Sequence, residues 1–372
     1  MASRITAVAP RSRRRFLLAA GAGAAAVAMP QISRAQTLNW RFQSVWRGKD
    51  LFHEFAVDYA KRVEEMAGAR LKLEVLAAGS VVPAIQMADA VHAGILDGGH
   101  GLAAAWQNKH KAYALFGTPP SLGWDSHGFL AWFYQGGGEA LYKELVSGIL
   151  KLDLVGFLCV PMPTQPLGWF NREINSGGDL RGVKFRTTGL AGDLFKELGA
   201  AVVVLPGGDI MPAMERRLVD AAEFNNPSSD LQLGLPEVAK LYMMGSHHRP
   251  AETFEIIFNK AKYEALPAEL RAILRHAALS ASSDQLWQAY SRYARDFEQI
   301  RKRGVRVAKT GPAVLADELK AWDAVLAPLS KEPFFAKVLA SQKAWVKSTG
   351  AYLHTNNLDS NALLSAYKHF FG

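Results

Sequence analysis

Strand-like and helix-like segments alternate along this chain, and the alternation starts twice. The segment 71–75 alternates apolar and charged residues, as a strand does, and follows an amphipathic helix predicted over 51–67. After Pro163 the alternation restarts, with helices predicted over 189–198 and 209–217 between short apolar strands. Each run of alternating strands and helices is expected to form a sheet of its own. The sequence therefore predicts an α/β fold of two lobes with a cleft between them.

One long segment, between Pro267 and Gly304, contains neither proline nor glycine. Apolar residues recur through it at spacings of three and four, which predicts a single helix of roughly 35 residues, ~50 Å long at ~1.5 Å per residue. That length exceeds what one lobe needs, so the helix is expected either to brace both lobes or to pack on a second copy. The segment 313–370 is predicted to be mostly helical.

The chain has 372 residues, of which 49% are hydrophobic and 21% charged, so it can bury the cores of two domains. Its one cysteine, Cys159, excludes an intrachain disulfide and any metal site built from several cysteines. Cys159 lies in an apolar strand predicted over 155–160, where a thiol is expected to be buried and inert.

The net charge of +9 comes mostly from residues 1–35, which carry six arginines and no lysine or acid. Without those six, 37 basic residues face 34 acidic ones, so nucleic-acid binding is not favoured. Arginines 13–15, an apolar run over 19–29 and small residues at 33 and 35 predict a secretory signal that resembles a twin-arginine signal. The apolar run is short for a membrane anchor, so a periplasmic protein is expected.

Signatures of common enzyme classes are absent from the sequence, including the nucleophile elbow, the zincin motif, the P-loop and the dinucleotide fingerprint. The run Gly136-Gly137-Gly138 lacks the spacing of a phosphate loop and predicts a turn. His247 and His248 are adjacent and could bind a metal, although most such pairs in loops do not.

Three polar residues are candidates for binding. Gln165 places a neutral amide in a proline-rich segment before a strand. Lys184 and Arg186 share one side of a strand whose other side presents Phe185, and a guanidinium at the strand end can hold a carboxylate through two hydrogen bonds. Glu223 ends an apolar strand, where a carboxylate is costly unless it is paired or binds a metal.

Several motifs around these residues carry a resemblance to a known family. They are Leu167-Gly168-Trp169-Phe170, the segment Asp179–Arg186, the segment Leu205–Ile210 and the segment Val219–Phe224. In this order they resemble the periplasmic solute-binding subunit of TRAP transporters, DctP type, over nearly all of the mature chain. The resemblance implies a two-lobed fold like that of periplasmic binding proteins, and a receptor, not an enzyme, that delivers a small organic acid anion to a membrane permease.

The run Gly189–Gly192 most resembles the branch that binds 2-oxo and 2-hydroxy monocarboxylates such as pyruvate or lactate. The resemblance implies that Arg186 holds the ligand carboxylate. It also implies that a calcium or sodium ion bridges ligand and protein, with Gln165, Glu223 and the backbone carbonyl of Phe224 as its ligands. A set made only of oxygen atoms suits a hard cation.

Trp106 and His248 match positions that face the cleft in relatives, so the resemblance makes them further candidates for ligand contacts. Two departures from the family pattern leave the ligand side chain open. Ser228 replaces an aromatic residue, and Thr187 and Thr188 replace a more apolar pair.

The pattern and the resemblance together predict a division of the chain. The expected parts are a signal peptide (1–35), lobe 1 (36–160 and 249–272), lobe 2 (161–248 and 273–310) and a C-terminal helical region (311–372). The long helix between Pro267 and Gly304 also predicts a homodimer, and the resemblance implies that C-terminal helices form it. Two alternatives to transport stay open: a ligand-sensing module for a signalling receptor, and a periplasmic enzyme acting on organic acids.

Overall fold

The structure, a computed structural model, describes residues 37–357 and 359–371, so the predicted signal lies outside the described residues. Two mixed sheets form its framework. The strands are β1 (Leu38–Ser44), β2 (Leu71–Leu76), β3 (Gly98–Gly101), β4 (Leu154–Met162), β5 (Gly168–Phe170), β6 (Lys184–Arg186), β7 (Ala201–Val203), β8 (Ala221–Ala222), β9 (Leu241–Met244), β10 (Glu252–Asn259) and β11 (Arg306–Lys309).

Helices cover both sheets. They are α1 (Leu51–Ala67), α2 (Met87–His92), α3 (Ser126–Gln135), α4 (Gly138–Lys143), α5 (Leu190–Glu197), α6 (Gly207–Glu215), α7 (Pro227–Gln232), α8 (Leu235–Val238), α9 (Lys260–Glu264), α10 (Ala268–Lys302), α11 (Pro312–Leu329), α12 (Pro333–Asn356) and α13 (Ser360–Phe371). Among the described residues, none of these helices combines the length and apolar character needed to cross a bilayer.

The first sheet has the order β2-β1-β3-β10-β4. Strand β1 pairs in parallel with β2 and β3, whereas β10 runs antiparallel to β3 and β4. Helix α1 follows the prediction over 51–67: Asp50 caps it by accepting from the Phe52 amide at 2.9 Å, and Gly68 ends it in the left-handed region at φ 58°. Its buried face, which includes Phe55 and Tyr59, packs on this sheet.

The long helix α10 braces both sheets. It spans 35 residues, as its freedom from proline and glycine predicts. Leu274 and Ala289 lie in the core of the first sheet, whereas Ile300 lies in the core of the second. The Tyr59 hydroxyl donates to the Leu274 carbonyl at 3.0 Å and ties the helix to α1. The predicted lobe boundaries stay a prediction, because this helix contributes to both cores.

The second sheet, β11-β9-β5-β8-β6-β7, has shorter strands than the sequence predicts. The strand predicted over 219–224 shrinks to β8. Strand β6 runs parallel to β7 and β8, and Arg186 is in register with Ala222. Glu223 follows Ala222 directly, so Arg186 and Glu223 meet at the carboxyl edge of this sheet, where open α/β sheets bind ligands.

A bulge bends β4 shortly before the chain leaves the first sheet. The register between β4 and β10 shifts between Thr253 and Phe254, and the extra residue opposite them is Val160. Val160 has φ 53°, which is strained for a β-branched residue, and its amide donates to the Ser282 hydroxyl at 3.0 Å. Its neighbour Cys159 is a buried free thiol whose pKa is raised by burial, as expected for an inert core residue.

Candidate functional site

Arg186 is the last residue of β6, and its side chain is buried. Its Nε and Nη2 donate to the Leu205 carbonyl at 3.0 and 2.8 Å, and its Nη1 donates to the Glu223 carbonyl at 2.7 Å. A guanidinium carries five N–H groups, so about two N–H groups of Arg186 have no acceptor. A carboxylate bound through both oxygens accepts two such hydrogen bonds. Burial lowers the pKa of Arg186, and the charge of Glu223 opposes this shift.

The Glu223 carboxylate is only 1% exposed, yet neither oxygen accepts a hydrogen bond from any described residue. Arg186 Nη1 lies 3.7 Å from Glu223 Oε1, and Arg249 Nη2 lies 3.8 Å from the same oxygen. These distances give charge attraction without hydrogen bonds. A buried carboxylate normally has its hydrogen bonds satisfied, so these oxygens are open to a cation or a ligand.

The Gln165 side chain is held in one orientation. Its Nε2 donates to Glu252 Oε2 at 2.6 Å, and Asn225 Nδ2 donates to the same oxygen at 2.6 Å. The backbone amide of Gln165 donates to the Arg249 carbonyl at 3.1 Å. Its Oε1 is buried and has no partner in the described part of the chain. Because Glu252 takes the amide nitrogen, the amide oxygen of Gln165 is the atom left free.

These free atoms fit a hard cation. Gln165 Oε1 and both Glu223 carboxylate oxygens are buried acceptors without donors, and Phe224 follows Glu223 with a backbone carbonyl. Within 37–357 and 359–371, no group of three or more His, Cys, Asp or Glu side chains could hold a metal. The candidate set differs from such groups because it combines one carboxylate with an amide and a carbonyl oxygen.

Two charged residues beside this set, Arg249 and Glu252, are missing from the sequence prediction. Arg249 is buried and donates through Nη2 to the backbone oxygen and the hydroxyl of Thr188, at 2.7 and 2.6 Å. Its Nη1 lies 3.8 Å from Glu252 Oε1. Burial raises the pKa of Glu252, and Arg249 opposes that shift. The one sequence signal for these residues is the presence of three charges, Arg249, Glu252 and Glu255, in the otherwise mostly apolar segment 249–258.

His248 is buried and neutral. Its Nδ1 lies 2.6 Å from the Ser246 hydroxyl, whereas its Nε2 has no partner among the described residues. Burial, together with the charge of Arg249, lowers the pKa of His248 well below its ordinary value. The neighbouring His247 instead bonds the Ser121 hydroxyl at 2.7 Å, so the two rings form separate contacts.

Trp106 lies elsewhere in the molecule. Its indole Nε1 donates to Glu255 Oε2 on β10 at 2.7 Å, and no described contact joins it to Arg186 or Glu223. Ser228, the departure from the family pattern, has a buried hydroxyl without a described partner. The geometry does not bring Trp106 to the charged cluster, which consists of Arg186, Glu223, Arg249 and Glu252. Its contact with the ligand therefore stays a prediction.

A large cavity of about 820 Å³ lies at the other edge of the second sheet. Its lining includes Arg181 and Asp220, which precede β6 and β8 and therefore lie at their amino ends. A smaller cavity of about 280 Å³ is lined by Thr164, Asn225 and Tyr293 and adjoins the charged cluster along the chain. The charged cluster at the carboxyl edge is thus separate from the larger cavity.

The profile of the family described as bacterial extracellular solute-binding protein, family 7 (DctP), matches residues 42–337. This chain belongs to the DctP family. It is 31% identical to a monocarboxylate 2-oxoacid-binding periplasmic protein of Nostoc sp., over 86% of this chain and 87% of the relative.

Two solved structures are similar throughout. A TRAP transporter solute-binding protein of Bordetella bronchiseptica, a dimer with calcium and picolinate at one site, has a TM-score of 0.82 and 26% identity, over 90% of this chain and 98% of that one. A TRAP periplasmic solute-binding protein of Pseudoalteromonas atlantica, with sodium and pyruvate bound, has a TM-score of 0.81 and 28% identity, over 91% of this chain and 100% of that one.

The family resemblance and the two-lobed α/β fold predicted from the sequence are confirmed. This DctP-family protein is a solute receptor of the TRAP transporter class that works outside the cytoplasm. Receptors of this class bind small organic acids and act together with membrane permease subunits.

Proposed function

We propose that this receptor binds a 2-oxo or 2-hydroxy monocarboxylate, such as pyruvate or lactate, together with a calcium or sodium ion. One observation carries the proposal: the buried Glu223 carboxylate has no hydrogen-bond donor, and Arg186 beside it keeps two N–H groups free. An anion and a cation that enter together satisfy both residues. The relatives that bind 2-oxoacids, or pyruvate with sodium, support this ligand class.

The proposed roles follow from the free atoms. Arg186 holds the ligand carboxylate through its remaining N–H groups. Gln165 Oε1, the Glu223 carboxylate and the Phe224 carbonyl hold the cation, which neutralises part of the ligand charge when bound. His248 offers its free Nε2 to the ligand, and Trp106 is a weaker candidate for a contact.

We also propose that ligand lies between the predicted lobes and that their boundaries are those given by the sequence. Arg186 and Glu223 come from the second sheet, whereas Glu252 begins β10 of the first. Because Glu252 holds Gln165 and Asn225 at 2.6 Å each, the two sheets meet at the charged cluster. Ligand contacts to both sides would favour a closed form.

The proposed role is binding without chemistry. The one cysteine, Cys159, is buried in the first sheet, and no relative reported above is described as an enzyme. No specific observation favours the sensing module or the periplasmic enzyme that the sequence leaves open.

For export, we propose the twin-arginine route with cleavage after Ala35, in residues outside the described part. Replacing Arg13, Arg14 and Arg15 by lysine should hold the precursor in the cytoplasm, as fractionation would reveal. Matched replacement of Arg4 and Arg11 should leave export intact.

For assembly, we propose a homodimer through the C-terminal helices; the Bordetella bronchiseptica protein is also a dimer. None of the described side chains of α13 is buried, and Tyr367, Phe370 and Phe371 are 61, 73 and 75% exposed. Such an apolar face is typical of an interface. Light scattering at micromolar concentration should give a dimer mass, and Phe370→Ala with Phe371→Ala should give a monomer. Val204→Ala, at another exposed apolar residue, should leave the dimer unchanged.

Thermal-shift measurements test the ligand class directly. Refolded, ligand-free protein would be mixed with lactate, pyruvate, longer 2-oxo acids, dicarboxylates or sugar acids, with and without calcium or sodium. Ligand at about 1,000 times its Kd adds ~4 kcal/mol of stability, which shifts Tm by several degrees. We expect a cation-dependent shift with lactate or pyruvate. A shift with dicarboxylates or sugar acids alone would contradict the proposed ligand class.

A further inference from the structure

A chain of hydrogen bonds runs from a buried carboxylate on α11 to the ring of His248. Glu318 is fully buried; its Oε1 accepts from the Ser246 hydroxyl at 2.5 Å, and its Oε2 accepts from the His247 amide at 2.7 Å. The Ser246 hydroxyl also lies 2.6 Å from His248 Nδ1 and accepts from the His248 amide at 3.1 Å. Every polar side-chain atom of Glu318 and Ser246 therefore has a hydrogen-bond partner.

The donors and acceptors in these hydrogen bonds determine the tautomer of His248. An ionised Glu318 can only accept, so Ser246 gives its single hydroxyl proton to Glu318. The hydroxyl oxygen must then accept from His248 Nδ1, which therefore carries the ring proton. Because the low pKa of His248 keeps the ring neutral, Nε2 presents a lone pair and no proton.

His248 adjoins the proposed ligand site along the chain. Its Nε2 is buried without a described partner, and the next residue is Arg249, whose Nη2 lies 3.8 Å from Glu223 Oε1. The His248 ring packs 5.4 Å from the Phe195 ring on α5. At the start of the same helix, a Cβ on Gly189 would lie 3.6 Å from Arg249 Nη2. Helix α5 thus passes both His248 and the charged cluster.

We propose that Glu318 and Ser246 are positioning residues that make His248 a hydrogen-bond acceptor for a hydroxyl group on the ligand, so that this receptor prefers a 2-hydroxy acid to the matching 2-oxo acid. The inference rests on the proposed function, in which His248 contacts the ligand. A 2-hydroxy group has a proton to donate to Nε2. A 2-oxo group offers lone pairs, which leave Nε2 buried and unpaired.

Glu318→Gln reverses the donor and acceptor roles in these hydrogen bonds, with little change in side-chain shape. The amide oxygen must stay on the His247 N–H, so the amide NH₂ faces Ser246 and donates to it. Ser246 then gives its own proton to His248 Nδ1, and the ring proton moves to Nε2. The variant therefore presents a donor to the ligand, which suits a 2-oxo group.

Protonation of Glu318 in the wild-type protein should have the same effect on His248 as the Glu318→Gln substitution. Burial raises the pKa of Glu318 to about 7, so the carboxylate is mostly ionised at pH 8 and mostly protonated at pH 6. The charged or titratable groups next to Glu318 and Ser246 along the chain are His247, His248 and Arg249 on the loop and Asp317 on α11, whose carboxylate accepts from the Gly177 amide at 3.0 Å. Helix α5 presents the uncharged Phe195 ring to His248. Burial lowers the pKa of His247, which disfavours its charged form.

Calorimetric titration of L-lactate and pyruvate at pH 8, with calcium present, measures the preference. We expect wild type to bind lactate about tenfold more tightly than pyruvate, since about 1.4 kcal/mol separates a made from an unmade buried hydrogen bond. In Glu318→Gln the ratio should reverse. Nitrogen NMR of the His248 ring should show the proton on Nδ1 in wild type and on Nε2 in the variant.

His248→Phe is the matched control, because it keeps a ring against Phe195 and removes Nε2. Its lactate-to-pyruvate ratio should fall between those of the other two proteins. The same ratio in wild type, Glu318→Gln and His248→Phe would overturn the proposal, as would a proton on Nε2 in wild type. If Glu318→Gln does not fold, the wild-type ratio at pH 6 and pH 8 decides instead, and an unchanged ratio overturns it. Arg186→Ala, which should weaken both acids equally, tests the proposed function separately.

Discussion

Two buried glutamates in this receptor have opposite surroundings. Glu255, in the first sheet, is 1% exposed; its Oε2 accepts from the Trp106 indole at 2.7 Å and its Oε1 accepts from the Tyr142 hydroxyl. Glu223, at the edge of the second sheet, is equally buried, but neither of its oxygens accepts a hydrogen bond from a described residue. Two guanidinium groups lie 3.7 and 3.8 Å away without bonding it.

The comparison shows that burial alone does not mark a binding site. Neutral donors satisfy Glu255, and burial raises the pKa of its carboxyl to about 7, so the protonated form is stable in the core. Glu223 keeps its acceptors open, which suits a cation, and the guanidinium groups beside it suit an anionic ligand. A buried acceptor without a hydrogen-bond donor is therefore a better marker of a binding site than burial alone.

The largest expected effect comes from removing the guanidinium of Arg186. Arg186→Ala should weaken pyruvate binding by about 2–5 kcal/mol, or roughly 30- to several-thousand-fold, because it removes the partner of a buried carboxylate. Calorimetric titration measures the loss. Lys184→Ala, an exposed residue on the same strand, is the control and should bind normally. Binding by Arg186→Ala within about twofold of wild type would contradict the assignment.

The two glutamates can be compared by the same substitution. Glu223→Gln should reduce calcium affinity on the order of 100-fold, because cation affinity depends strongly on ligand charge. Glu255→Gln should leave it within about twofold of wild type. Calcium titration of both ligand-free variants, with circular dichroism to check folding, gives the comparison. Equal losses in the two variants would show that both glutamates act through general stability.

Glu255 should instead control stability as a function of pH. Its folded pKa, about 7, is above the ordinary 4.5, so its contribution to stability is fully present below about pH 4.5 and is lost as pH rises through 7. The loss is on the order of 3 kcal/mol. Urea unfolding should therefore show that the free energy of unfolding of Glu255→Gln, relative to that of wild type, is higher at pH 8 than at pH 5. Parallel pH profiles would rule out the neutral form of Glu255.

The smallest effect is expected at Trp106. Trp106→Phe keeps a ring but removes the N–H that Glu255 accepts, which should cost about 1–3 kcal/mol of stability. Pyruvate affinity should stay within about twofold, because the indole N–H is already bonded to Glu255. A larger drop in affinity, with normal Tm, would place the Trp106 N–H at the ligand.

The sequence predicts the long helices closely, because local signals bound them. Gly68 ends α1 in the left-handed region, and Pro267 and Gly304 frame α10. The strands of the second sheet are predicted too long, since β8 needs a partner to define its ends. Where a strand stops depends on pairing with residues distant in sequence.

The candidate site is predicted in part. Gln165, Arg186 and Glu223 stand out as polar residues at strand ends, and the structure brings them near one another through Glu252 and Arg249. Glu252 and Arg249 give almost no local signal. Their importance comes from contacts across 26 to 87 positions of the chain, which no periodicity encodes.

The bridging cation is tested by calorimetric titration of ligand-free protein with pyruvate and lactate, in the presence of calcium, of sodium, or of a chelator in a buffer free of both ions. We expect binding of at least one acid that depends on a cation and is lost in Arg186→Ala and Glu223→Gln. Equally tight binding of both acids in the chelator buffer, unaffected by Glu223→Gln, would contradict the bridging cation and the role assigned to the open carboxylate.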